Sequence, residues 1–406
     1  MNVIKTEDKL VLSLSTKTWM KDIYGLFDYN SSKTRNSNNT FTESTCIVRR
    51  KDEIISVNNP FMLPKGEELL FNIVHDEQNK YYLDSKVPKR IQPTQGNIYD
   101  LSNKIWYIIK SDPNKSNNSN HVKANNNEDY YLCKNDVIRI GFLKYYISEI
   151  NIPSKLNNID RAPPLNDKTK YDIDELNKNT EPVFNFTYSA RDISEYKDIP
   201  DDEKRCKICF SEDNERKYNP LVHLCRCKGG LRFSHYLCIK KFLATKIQVK
   251  ENQKKTVKIY NIESFNCEIC KTPYPFRFTL YGIDKPFELI NLDKPVGCDY
   301  IVLESLNLVV SKNNYKMIYL IKLDNKKEMM IGRAEDADIY IRDSAASRNH
   351  CLLKYNEEDG TILIRDLNSK FGTLVLIKKP LLIKEGKIHL QAGRTFIEAK
   401  LMNVEE

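Results

Sequence analysis

Seven of the chain's eleven cysteines fall between Cys206 and Cys270, a density that constrains the fold more than any other feature. With one histidine they read Cys206-x2-Cys209, x15, Cys225-x-Cys227, x7, His235-x2-Cys238, x28, Cys267-x2-Cys270. Each close pair can chelate one side of a tetrahedral ion, so four pairs supply two closed zinc sites with no position left for water. Closed sites hold structure and do no chemistry of their own. No export signal is expected, because Lys5, Glu7, Asp8 and Lys9 interrupt the first ten residues and only Leu10–Leu14 follows as an apolar run. In that setting clustered cysteines point to metal and not to disulfides. His223 lies two residues before Cys225, but using it would break the pairing, so it is not assigned as a ligand. Cys46, Cys133, Cys298 and Cys351 sit in apolar surroundings and read as buried, inert thiols.

At about 150 residues per domain, 406 residues suggest two or three domains. A 40% hydrophobic and 29% charged composition lies in the globular range. The longest apolar stretches, Tyr300–Leu303 and Thr373–Ile377, are far shorter than the roughly 18–20 residues that cross a bilayer. The expectation is a soluble, intracellular protein with no transmembrane segment. The cytoplasm is the expected compartment, with the nucleus or a cytoskeletal assembly as alternatives. The net charge of +9 is mild, and the seven lysines between Lys240 and Lys258 face one acid, Glu251. That run reads as a solvated loop, or else a docking surface for an acidic partner. Basic residues are not spread through several elements, so nucleic acid is not an expected partner.

Alternating strand-like runs such as Glu68–Val74, Ile105–Ile109 and Val137–Ile147 mark residues 1–150 as a β-domain. Asn30–Thr40 and Ser111–Asn127 read as low-complexity loops, and 151–200 as a linker. The cysteine cluster occupies 201–283, and short strands between turns such as Asp359-Gly360 give a β-sandwich over 284–406. The two β-regions share one ending: Asn135-Asp-Val-Ile-Arg-Ile-Gly141, then an aromatic strand, against Glu385-Gly-Lys-Ile388 and Ala392-Gly-Arg-Thr-Phe396.

Two zinc-finger families use seven Cys and one His. In PHD fingers, which read histone tails, the second pair is usually wider and the His follows sooner; Phe265, two residues before Cys267, is the one PHD-like feature. The run Cys225-Arg-Cys-Lys-Gly-Gly-Leu-Arg-Phe-Ser-His235-Tyr-Leu-Cys-Ile-Lys-Lys-Phe242 resembles the centre of the RING-CH (RING-variant) family, with Phe242 where Trp is usual. This resemblance implies a cross-brace: Cys206, Cys209, His235 and Cys238 on one zinc, and Cys225, Cys227, Cys267 and Cys270 on the other. It also implies a ubiquitin ligase, whose partners are ubiquitin and a ubiquitin-conjugating enzyme. Ile208, Phe242 and Lys271 match the contact positions. The x28 gap is longer than the family's pattern.

Further on, Ile331-Gly-Arg-Ala, Asp338-Ile-Tyr-Ile-Arg-Asp, Ser347-Arg-Asn-His350 and Arg365-Asp-Leu-Asn-Ser-Lys-Phe-Gly-Thr373 occur in order. These blocks resemble the forkhead-associated (FHA) domain, a β-sandwich that binds phosphothreonine. The resemblance implies a phosphate cradle of Arg333, Ser347 and Arg348, with Asn368 and Lys370 beside the peptide and His350 as a strut. A guanidinium fork and a hydroxyl donor suit a dianion. Phe371 stands where many FHA domains place Asn. The shared ending makes residues 1–150 a degenerate FHA-like domain.

Together the sequence resembles the RING-CH/FHA proteins of alveolate protists. The expected architecture is mainly β and multidomain: an FHA-like sandwich, a linker, a two-zinc finger and an FHA sandwich. The expected function is a ligase that recruits phosphothreonine clients. A non-catalytic zinc-finger/FHA scaffold or adaptor in a larger protein assembly is the alternative.

Overall fold

The computed structural model of the protein describes residues 10–20, 26, 29, 32–58, 63–85, 101, 104–109, 129–153, 188–262, 264–306, 316–323, 328–384 and 386–403. These residues are mainly β, and no helix among them is long and apolar enough to cross a membrane. The chain divides into two compact units, one holding 1–183 with 323–406 and the other 184–322.

In the first unit, strands from both ends of the chain lie side by side. Its longest run of strands has the order Leu143–Asn151, Val137–Ile140, Thr373–Leu376, Ile105–Ile109, Lys387–Ala392, Thr395–Asn403, Leu10–Trp19 and Thr34–Phe41. Neighbours are antiparallel throughout. A five-stranded sheet holds Ile339–Tyr340, Glu328–Gly332, Cys351–Asn356, Thr361–Asp366 and Asp129–Tyr131. A second has the order Leu381–Ile383, Tyr81–Asp84, Glu67–His75, Thr45–Arg50 and Glu53–Val57. Strict alternation dictates which face of each strand is buried. In Thr361–Asp366, for instance, Ile362, Ile364 and Asp366 point inward and their neighbours do not.

This pairing corrects the expected division into separate sandwiches at 1–150 and 284–406. Leu12, Leu14, Ile47, Phe71 and Tyr81 share one core with Ile383, Leu390, Ile397 and Ala399. Arg365 clamps Asp129 through two hydrogen bonds of 2.6 Å. Residues 284–322 belong to the other unit. Alternation identifies a strand and its buried face, but is blind to which edge the strand joins. Asn30–Thr40 is corrected too: Thr34–Phe41 is a strand registered on Leu12–Trp19. Ser111–Asn127 lies outside the described residues.

The second unit opens with Tyr188–Ser189, parallel to Phe278–Thr279, and Arg191–Asp192 on Leu221–His223. Asp192 is fully buried, ion-paired to Arg216, and caps the short helix Ile193–Glu195. The described end of the expected linker is therefore folded, and 154–187 lies outside the described residues. The helix Tyr236–Ala244 buries Ile239 and Leu243. The lysine run is no loop: after the helix it forms the hairpin Ile247–Glu251/Val257–Ile262, which continues onto Lys316–Lys322 and Tyr300–Ser305. Tyr260 and Ile262 meet Val302, Ile318 and Leu320 in one core with Leu224 and Phe265. Cys351 is buried as expected, whereas Cys46, Cys133 and Cys298 are half-buried.

Burying one large aliphatic side chain is worth about 1.5–3 kcal/mol, and cutting the chain at residue 284 would uncover Ile383, Leu390 and Ile397 together. A fragment of residues 284–406 is therefore predicted to show no cooperative thermal transition by circular dichroism, while the full chain does. A sharp transition in the fragment would refute the shared core.

Candidate functional site

The two Cys-x-x-Cys knuckles are built alike. Phe210 and Lys271, each following a second cysteine, take φ of 62° and 57°. Their N–H groups donate to the carbonyls of Cys206 (2.8 Å) and Cys267 (2.9 Å). The N–H groups of Cys206 and Cys267 donate in turn to Ser211 and Thr272, both at 2.9 Å. Such a turn aims both thiols to one side. The strand Ser234–His235 and the following helix bring His235 and Cys238 to the first knuckle.

The ligand atoms gather into two groups, Cys206/Cys209/His235/Cys238 and Cys225/Cys227/Cys267/Cys270, with all atoms of a group within 4.8 Å of one another. Zinc–sulfur bonds of about 2.3 Å place tetrahedral ligands about 3.8 Å apart. Cys227 and Cys267 sulfurs lie 3.7 Å apart, and His235 Nδ1 lies 3.2 Å from Cys209 and 3.9 Å from Cys238. His235 Nε2 meets the carbonyl of Asp213, which orients Nδ1 toward the thiols. Backbone N–H groups of His235 and Arg226 donate to the sulfurs of Cys206 and Cys270, both at 3.3 Å. Both donor sets fit zinc, in the cross-brace pattern. His223 stands apart, its Nδ1 2.6 Å from the Tyr196 hydroxyl.

Lys207 is a residue the spacing did not flag. From inside the first knuckle its ammonium reaches the sulfurs of Cys225 (3.4 Å) and Cys267 (3.7 Å), ligands of the second group. Burial works to lower its pKa, but those thiols outweigh burial and raise it. At Cys270 burial also opposes charge, yet hydrogen bonds from Thr272 and Arg226 bring the thiol down to about 6. A lone lysine between two ligands carries no distinctive pattern, and the contact exists only once folding brings the two groups together.

Ile208 is exposed, and so is Ile269 at the same place in the other knuckle, at 40% and 56%. Ile269 was missed, although the repeated Ile-Cys of the two knuckles is visible in the sequence. Phe242 is half-buried against the core, with the Lys246 ammonium 4.4 Å from its ring centre. Lys271 is exposed.

In the first unit the blocks around Arg333, Ser347 and Lys370 converge. Arg333 N–H donates to Ser347 O (3.1 Å) and its Nε to Ala346 O (2.8 Å). Lys370 N–H donates to Ser347 Oγ at 3.2 Å, which leaves that hydroxyl's own proton for an acceptor. Arg333, Arg348, Asn368 and Lys370 are exposed around it, Asn368 with φ 56°. A Cβ on Gly332 would lie 1.9 Å from Arg348 O, so only glycine lets these loops meet. Fully buried His350 accepts Ser347 N–H on Nδ1 (3.0 Å), and its Nε2 donates to Gly372 O (3.2 Å). Asp366 secures the next loop through Ser369 and Thr373, both at 2.7 Å. Phe371 lies beneath the Lys370 ammonium, 5.3 Å from its ring centre.

Residues 206–270 match the RING-variant domain model and residues 329–393 the FHA domain model. The chain carries both domains. Over 95 residues, 23% of the chain, it is 30% identical to the ERAD-associated E3 ubiquitin-protein ligase DOA10 of Saccharomyces cerevisiae. The match spans only 6% of that protein's length. No solved structure matches the chain.

Two predictions follow from the geometry. Elemental analysis should find two zinc ions per chain, and Cys267→Ser should lower that number; one ion in the wild type would exclude the paired arrangement. The second concerns His350, whose pKa burial lowers from the ordinary 6.5, outweighing the pull of Asp366. The unfolded chain takes up this proton near pH 6.5 and the folded chain does not. Its stability contribution is therefore full above that pH and declines below it. Trp19 and Trp106, the chain's two tryptophans, both lie in the first unit, so their fluorescence reports its melting. His350→Ala should lower the melting point at neutral pH and flatten its fall on acidification; an unchanged acid slope would contradict this.

Proposed function

We propose that the chain is a zinc-dependent RING-variant ubiquitin ligase that recruits phosphothreonine-bearing clients through its FHA edge. The observation that carries this reading is the sorting of eight ligand atoms into two interleaved groups of four. Bound zinc supplies structure by locking the loops; this chain's own residues then hold the reacting partners. Ile208 and Ile269 offer an apolar face to a ubiquitin-charged conjugating enzyme, and Lys271 offers a donor beside it. Holding the thioester where a client lysine can reach it is catalysis by positioning. Similarity over 95 residues to a named E3 ligase supports the same chemistry.

On the FHA edge, Arg333 and Arg348 meet the phosphate dianion, Ser347 donates its hydroxyl, and Asn368 and Lys370 flank the peptide. Carrying both sites on one chain raises the effective concentration of client near enzyme without altering either affinity. The second reading, a non-catalytic scaffold within a larger assembly, draws on Phe242, half-buried and covered by Lys246, and on Phe371 in place of an amide.

Discharge of ubiquitin from a panel of charged conjugating enzymes decides between them. Ile208→Ala is predicted to abolish discharge while zinc content stays at two; a wild type inert with every enzyme would favour the scaffold. Arg333→Ala removes a charge-assisted contact worth roughly 1.5–3 kcal/mol, about 10- to 150-fold in phosphopeptide affinity. Equal binding of phosphorylated and plain peptides by the wild type would remove the recruitment half of the proposal.

A further inference from the structure

We infer that residues 45–151 and 328–403 are two copies of one eight-strand design that have exchanged their last three strands, and that the turn thereby brought across, residues 140–143, positions the phosphate cradle. The second clause rests on the proposed role of Arg333 and Ser347.

In chain order the first copy runs Thr45–Arg50, Glu53–Val57, Glu67–His75, Tyr81–Asp84, Ile105–Ile109, Asp129–Tyr131, Val137–Ile140 and Leu143–Asn151. The second runs Glu328–Gly332, Ile339–Tyr340, Cys351–Asn356, Thr361–Asp366, Thr373–Leu376, Leu381–Ile383, Lys387–Ala392 and Thr395–Asn403. In both, the first four strands lie in the order second, first, third, fourth, the second strand running antiparallel to the first in the first copy and parallel to it in the second. The edge beside the fourth strand is filled by the sixth strand of the other copy: Leu381–Ile383 on Tyr81–Leu83, and Asp129–Tyr131 on Leu363–Arg365. Each fifth strand is flanked by the other copy's seventh, Leu390–Ala392 on Ile105–Tyr107 and Ile138–Ile140 on Thr373–Val375. The two fifth strands pair antiparallel with each other, Ile109 opposite Thr373 and Trp106 opposite Leu376. Strand order about that pair reads the same in either direction, as an approximate twofold axis requires.

Side chains repeat the relation. The exchanged hairpins turn at Gly141 (φ 63°) and Gly393 (φ 53°). Two residues before each, Arg139 Nε and Gln391 Nε2 donate to that glycine's carbonyl, at 3.1 and 3.0 Å. Each turn then docks on the other copy. The Gly393 turn takes Arg49, whose Nη1 donates to Ala392 O (3.3 Å) and Thr395 Oγ1 (3.2 Å), while Arg394 pairs with Asp52.

The Gly141 turn docks on Asp343. One carboxylate oxygen accepts the N–H groups of Phe142 (2.6 Å) and Leu143 (3.2 Å), and the other accepts Ala345 N–H (2.8 Å). A Cβ on Gly141 would lie 2.6 Å from that carboxylate and 3.0 Å from Ala346 N. Ala346 is the residue whose carbonyl holds Arg333 Nε. Asp343 is thus a positioning residue, one short step from the cradle. In the first copy the loop between the first two strands, 333–338 in the second, shrinks to Lys51-Asp52, and Arg50 is paired with Glu67 at 2.6 Å.

The twin latch supplies the control. Full-length wild type, Gly141→Ala, Asp343→Ala, Asp343→Asn and Arg394→Ala would be titrated with a degenerate peptide library centred on phosphothreonine. Hydrogen exchange of residues 345–350 would be read in parallel, well below each melting point. Gly141→Ala and Asp343→Ala should weaken binding by about tenfold or more and speed exchange in that loop. Asp343→Asn, which keeps one acceptor, should recover part of both. Arg394→Ala should lower the melting point yet leave binding within about twofold of wild type and loop exchange unchanged. Wild-type binding and exchange in Asp343→Ala would overturn the inference, as would equal losses in Arg394→Ala. A wild type indifferent to phosphate would remove the recruitment proposal instead, and loop exchange alone would then decide the latch. If Gly141→Ala does not fold, the Asp343 pair decides it.

Discussion

Thr373–Leu376 and Ile105–Ile109 hydrogen-bond to each other at the middle of the first unit's sheet, and much else depends on that antiparallel contact. It joins segments more than 260 positions apart, and outward from it strands of the two ends interleave in pairs: Val137–Ile140 and Leu143–Asn151 flank Thr373–Leu376, while Lys387–Ala392 and Thr395–Asn403 lie between Ile105–Ile109 and Leu10–Trp19. Contacts of such sequence separation carry a large closure cost, which the shared apolar core must offset. The described interior supplies it: Leu12, Phe71 and Tyr81 pack with Leu390 and Ile397, all at most 1% exposed. Neither end can bury its hydrophobic faces without the other.

The second unit solves its stability problem differently. The ligand pairs bind sequence-distant loops into two closed groups, and metal affinity then becomes folding free energy. Yet this finger does not stand on metal alone. The hairpin within the long ligand gap continues into strands beyond Cys270, the last ligand, and Tyr260, Val302 and Leu320 add an apolar core. Lys207 adds a charge link between the two ligand groups, placing a cation against thiols whose negative charge would otherwise be poorly compensated.

How far the sequence disclosed all this depended on the range of each signal. Zinc ligands and the Arg333/Ser347 blocks are local patterns of chemistry: the grouping of the ligands was legible by residue, and the FHA domain was legible from its ordered blocks. The closing motif common to 135–141 and 385–396 was legible as well. Its meaning was not, because a strand's alternation is the same whichever partner it joins. The motif turned out to be the exchanged hairpin. The lysine run was misread for a related reason: Lys250, Lys254 and Lys255 are exposed, so polarity suggested a loop, while the buried positions Val257, Tyr260 and Ile262 were too few to announce a strand. Lys207 and Asp343 left no signal, since each acts on groups brought near only by folding.

The asymmetry between the two β-copies follows from loop length. An anion site needs converging donors held apart from neutralising partners. In the second copy six residues separate the first two strands, long enough for Arg333 to reach across to the Ser347 loop while His350 braces it from below. In the first copy a two-residue turn forces an antiparallel hairpin, and Arg50 falls beside Glu67 on the adjacent strand. A carboxylate already at hydrogen-bond distance competes directly with any phosphate for that guanidinium. The proposed phosphate site therefore belongs to one copy, and the other contributes what a short hairpin still can: strands that close the sheet, and a glycine turn whose N–H groups meet Asp343.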